Sequence, residues 1–151
     1  MTAMEVVAVI SSVAGIATLV GQSVAGLTKL YNFFEECRNA SKKTNRFLNE
    51  INSLRQTVLQ VEELISKISA GFEPSGTSVL ASLKIHLEDC AKDVTRWLEV
   101  AEKYIPSPKL KSKIYFKNFL LALKSREIAD IFEQISSHQH GITLSLSATG
   151  R

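Results

Sequence analysis

The side chains best suited to catalysis or metal binding in this 151-residue chain are three histidines and two cysteines. His86 stands beside Leu87 in a helical pattern and reads as a surface histidine. His138 and His140, two residues apart, could both touch a metal, but no third ligand has matching spacing. Cys37 and Cys90 form neither a CxxC pair nor a disulfide framework, and read as free thiols in a reducing cytosol. No phosphate-binding glycine loop, GxSxG elbow or HExxH helix occurs. Neither an enzyme nor a metal or other cofactor is therefore expected.

Charge placement is more informative. Arg38, Lys42, Lys43 and Arg46 occupy one nine-residue window without an acid, and Lys109, Lys111, Lys113 and Lys117 occupy another. The net charge of only +3 does not call for nucleic acid, and no basic-aromatic motif accompanies either window. If the two windows met, they would suit an anionic phospholipid surface, where each basic side chain contributes about 1 kcal/mol. Solvated loop lysines are the plain alternative.

The elements that must position these windows are helices. Apolar residues make up 45% of the chain and charged residues 22%, a globular balance suited to one domain. Val9, Val13, Ile16, Val20, Val24, Leu27, Tyr31 and Phe34 recur at helical spacing and predict a first helix over about 4–34. Phe47, Ile51, Leu54, Val58, Val61, Ile65 and Ile68 make a heptad seam within a second helix, 41–70. Leu80, Leu83, Leu87, Cys90, Val94, Trp97, Ala101 and Tyr104 do the same for a third, 78–104, stopped by Pro106 and Pro108. A fourth helix over 110–124 and a fifth over 125–140 or beyond follow, with a break near Lys124 and Ser125. Ile142, Leu144 and Leu146 alternate as a strand would, but no second strand is available, so they read as the frayed end of the last helix. Residues 1–147 are thus expected to form an all-α, up-down four-helix bundle with an additional C-terminal helix, followed by a 148–151 tail. Such a bundle would bring both basic windows to one pole.

The first helix is unusual. Val6 to Thr28 is 23 residues without a charge. As a helix it would be about 35 Å long, enough to cross a hydrocarbon core of about 30 Å. It fits a secretory signal poorly, because Glu5 is the only charged side chain before it. Ser11, Ser12, Gly15, Thr18, Gly21, Gln22 and Gly26 make it a poor constitutive anchor too. Val, Ile, Thr and Gly favour helix weakly in water but are accepted in lipid. Ala17, Gly21 and Ala25 form a small-residue stripe suited to close helix contact there. A membrane-entering segment containing Val6, Val9, Val13, Gly15, Ile16, Val20, Gly21, Val24 and Leu27 is therefore expected, at rest in the bundle and inserted on assembly.

The Val-, Ala-, Ile- and Gly-rich first helix, then "LTKLYNFFEEC", "FLNEINSLRQTVLQVEELI" and "YFKNFLLALKSREIADIFEQI", resembles the HeLo-like domains. These head many fungal NLR-type (STAND) and amyloid-signalled proteins, and are similar to HeLo and to the four-helix bundle of the mixed-lineage kinase domain-like protein. The resemblance covers nearly the whole chain. It implies a cell-death effector, cytoplasmic at rest, that self-associates at the plasma membrane and permeabilises it through the first helix. It also implies an upstream NLR or amyloid-motif activator. Neither is found in these residues, so a longer parent protein is expected. The alternative is a soluble interaction or oligomerisation module at the N-terminus of an NLR-type receptor.

Overall fold

The computed structural model describes residues 3–35, 42–69, 77–104 and 126–148, and the side chains at 3–12, 43–44, 69, 77–78, 103–104 and 127–128 lie outside that description. The described residues form four helices and no strand: α1 (Ala3–Glu35), α2 (Lys42–Ser69), α3 (Thr77–Tyr104) and α4 (Arg126–Ser147). The first three match the expected spans to within a residue. The fourth helix expected over 110–124 lies outside the described residues, so α4 corresponds to the expected fifth.

The chain alternates direction from helix to helix. Phe34 meets Phe47 and Thr28 meets Arg55, so α1 and α2 are antiparallel. Ser82 meets Ser145, Asp93 meets His138 and Trp97 meets Gln134, so α3 and α4 are antiparallel too. The extensive helix–helix faces are α1–α2, α1–α3, α2–α4 and α3–α4. Around the bundle the order is therefore α1, α2, α4, α3. Two of the neighbouring pairs, α1–α3 and α2–α4, run parallel, as alternation of direction along the chain requires.

The heptad seams build the core. Ile51, Leu54 and Val58 of α2 are fully buried with Leu83, Leu87, Val94 and Trp97 of α3 and Ile131 and Ile135 of α4. Phe47 stands edge-on to both Phe34 and Phe132, joining three helices at one end. Ile65 is only partly buried, because the α1 residues opposite it are small.

The last helix does not fray. Ile142, Ser145 and Leu146 are buried and continue the Ile131–Ile135 stripe at helical spacing, and the Ala148 amide still donates to Leu144 at 3.1 Å. Burial offsets the weak helix propensity of "GITLSLS", which on its own reads as irregular. Gly141 is what lets α4 pass close to α3: a Cβ there would stand 2.7 Å from His86 Nδ1.

Candidate functional site: the first helix and the adjoining pole

From Val13 to Thr28, α1 carries no charged side chain. Ile16, Val20, Ser23, Leu27, Leu30 and Phe34 are buried at steps of four and three. Ala14, Ala17, Thr18, Gly21, Gln22 and Ala25 face outward. Val13–Glu35 is long and apolar enough to cross a membrane, by length and composition alone, yet only 28% of its apolar window is buried. The polar groups on the outward face are small and partly self-satisfied: Thr18 Oγ1 donates to the Ala14 carbonyl at 3.1 Å within the helix. Such back-bonding lowers the cost of carrying a hydroxyl into an apolar phase. A groove of about 480 Å³ runs between α1 and α2, floored by Val20, Val24 and Ile65 and opened by Ala17, Gly21 and Ala25.

The membrane-entering residues expected from sequence divide on inspection. Ile16, Val20 and Leu27 are buried, Val13, Gly15 and Val24 half-buried, and Gly21 exposed. Val6 and Val9 belong to α1, but their side chains lie outside the described residues. Gly15 and Gly26, two of the residues that interrupt the apolar run, are half-buried rather than on the free face. A Cβ at Gly26 would approach Val94 Cγ1 to 2.4 Å, so this glycine sets the distance between α1 and α3. A Cβ at Gly15 would meet only the flexible end of Lys84, at 3.2 Å, and one at Gly21 would meet nothing within 4 Å. Ser23 is fully buried beside Cys90 of α3. Its hydroxyl has no nitrogen or oxygen partner, leaving only the weakly polar thiol. Burial pushes the Cys90 thiol up to about 12, with Ser23 acting the other way and Asp93 adding a smaller upward push. Cys90 is therefore a packing residue, not a nucleophile.

Several contacts hold the C-terminal half of α1. Arg55 of α2 reaches Thr28 and Tyr31, Lys29 lies 3.9 Å from Glu102 of α3, and Phe34 packs on Phe47. By spacing alone Arg55 falls off the apolar steps of the second helix and reads as a solvated position. The missed signal was its place next to Leu54, at the edge of the seam rather than opposite it.

The helix directions bring the C-termini of α1 and α3 and the N-termini of α2 and α4 to one pole. These are the helix ends that flank the two basic windows. Lys42 and Arg46 are exposed there, at the start of α2. Arg46 is partly neutralised: its Nε lies 3.2 Å from Glu50 Oε1, and its guanidinium stands over Phe132 at 5.8 Å. Lys43 lies in α2 with its side chain outside the described residues, and Arg38, Lys109, Lys111, Lys113 and Lys117 lie outside them altogether.

His138 serves packing, while His140 is exposed. His138 Nε2 lies 2.6 Å from Asp93 Oδ2, and its ring centre is 5.9 Å from that of Trp97. Trp97 Nε1 donates to Gln134 Oε1 at 2.9 Å, and Arg96 reaches both Asp93 and Gln134. These bonds satisfy polar groups along the α3–α4 seam. Among the described residues no three His, Cys, Asp or Glu side chains group to hold a metal. No protein-family model matches this chain, and no curated protein or solved structure matches it either.

Proposed function

We propose that this chain is a membrane-permeabilising cell-death effector domain of HeLo-like type, an up-down bundle with a further helical segment ahead of α4. In this function it rests in the cytoplasm, self-associates when an NLR or amyloid-motif activator engages it, and inserts α1 at the plasma membrane. The observation that carries it is α1 itself: uncharged from Val13 to Thr28, of spanning length, and mostly unburied in its own bundle. A solvent-facing side of an ordinary bundle helix carries Lys or Glu. Here alanines, glycine, threonine and glutamine occupy it, a side that costs little in water and little in lipid. The convergence of helix ends at one pole supports an anionic-lipid contact by Arg38, Lys42, Lys43, Arg46, Lys109, Lys111, Lys113 and Lys117, which would dock the bundle before α1 moves.

One observation favours the alternative, a soluble interaction module. Ile16, Leu27 and Leu30 are fully buried, and Gly26 fits α1 closely onto Val94. Releasing α1 exposes that face. Dye release from phosphatidylserine-containing vesicles decides between them. Leakage that rises with protein concentration and is absent with neutral phosphatidylcholine vesicles is expected. A folded domain that releases no dye from either would leave the interaction module.

A further inference from the structure

Arg55 sits on α2, half-buried against α1. Its Nη1 donates to Thr28 Oγ1 at 3.4 Å, and its Nη2 donates to Asn52 Oδ1 at 2.6 Å. The guanidinium carbon lies 5.3 Å from the centre of the Tyr31 ring. Thr28 and Tyr31 are three residues apart on α1 and so share one side of it. Every one of these partners is neutral: a hydroxyl, an amide oxygen and an aromatic face. No carboxylate pairs with Arg55 among the described residues. A guanidinium presents its N–H donors as a planar fork that matches an oxyanion, and charge-assisted bonds are roughly twice as strong as neutral ones. Arg55 therefore holds α1 with contacts weaker than those it would make to a phosphate. The ion pair tying α1 to α3, Lys29 to Glu102, spans 3.9 Å with both side chains exposed, and contributes little.

We propose that Arg55 is a clasp on α1, and that a phosphate oxyanion opens it by capturing the guanidinium. Capture takes the fork off Thr28 and the cation off Tyr31, which removes Arg55's hold on this flank of α1. The inference rests on α1 being the element that leaves the bundle, and it names what regulates that step. A lipid headgroup and free phosphate share the chemistry.

Amide hydrogen exchange on the intact chain tests it, read by mass spectrometry in solution. In chloride buffer, Arg55→Gln should speed exchange across residues 13–34 by about 3- to 10-fold, as expected for losing one half-buried cation–aromatic contact. Exchange in α4 should not change. Inorganic phosphate at matched ionic strength should speed the same segment in wild type and not in Arg55→Gln. Phosphatidylcholine vesicles with and without phosphatidate separate the sources: a response to both inorganic phosphate and phosphatidate assigns the phosphate group itself, and a response to phosphatidate alone assigns the membrane. Arg55→Lys keeps the charge but loses the fork, and should respond less than wild type. Unchanged exchange in Arg55→Gln, or acceleration spread equally over all helices, would overturn the clasp. A phosphate response surviving in Arg55→Gln would overturn the capture step. A loosened α1 without dye release would instead remove the membrane function and leave the clasp standing.

Discussion

Gly21 is the position at which the proposed insertion of α1 is most cleanly separated from folding. It is exposed, and a Cβ placed on it meets nothing within 4 Å. Inside the bundle, therefore, no contact demands glycine. Gly21→Ala should stabilise the fold by about 0.5–1 kcal/mol, the ordinary helix penalty of glycine, raising Tm by about 1–4 °C for a chain of this size. Gly21→Asp has the same room, and an exposed Asp is no worse a helix former than Gly, so Tm should hold or rise slightly. In a bilayer the two variants part. Position 21 lies about 12 Å along the roughly 33 Å of Val13–Glu35, close to its middle. An Asp near mid-bilayer costs about 2.5–3.5 kcal/mol on insertion scales, which corresponds to about a 70- to 400-fold loss in the insertion equilibrium per copy. Circular dichroism melts establish that each variant is folded, and dye release from phosphatidylserine-containing vesicles reads insertion. Gly21→Ala should leak at least half as well as wild type, and Gly21→Asp should not leak measurably. Equal release by a folded Gly21→Asp protein would refute insertion of α1.

Gly26 should behave in the opposite way: Gly26→Ala drives a Cβ to 2.4 Å from Val94 Cγ1 and should destabilise by about 1–3 kcal/mol in urea unfolding. Leu87→Ala, at a fully buried site, should cost about 2–5 kcal/mol by the same measurement, and a loss below about half a kcal/mol would remove Leu87 from the core. Reversing Lys42, Lys43, Lys111 and Lys113 to Glu should abolish sedimentation with anionic vesicles while the melting curve keeps its shape, and wild-type binding should weaken as salt rises. Cys90, raised from 9.0 to about 12, should resist iodoacetamide at pH 8 in the native protein and react after unfolding, as peptide mass mapping would reveal. Because the unfolded thiol releases its proton first, Cys90's contribution to stability falls as pH rises from about 9 toward 12, and Cys90→Ala should flatten that slope.

Helix content, the first three helix spans and most of the core were legible in the sequence, because a 3.6-residue period projects directly into one dimension. The seam residues from Ile51 to Val58 and from Leu80 to Ala101 are buried as their spacing requires. The uncharged length of α1 was equally plain. What periodicity could not supply is which neighbour each flank meets. Gly26 and Gly21 look alike in sequence, yet one limits the approach of α3 and the other faces open space. Arg55 reads as solvated until α1 is laid antiparallel on α2, which brings Thr28 and Tyr31 within its reach. The end of α4 reads as strand or fray until Ile142 and Leu146 find the core, since burial between helices outweighs weak local propensity. Order around the bundle, with α1 beside α3 and α4 beside α2, depends on contacts such as Gly26 with Val94 and Ser53 with Gln139, between residues far apart in the chain. Local physics writes each helix and its apolar stripe; only the packing of four stripes together decides which glycine is structural, which arginine is a clasp, and which side of α1 is left uncovered.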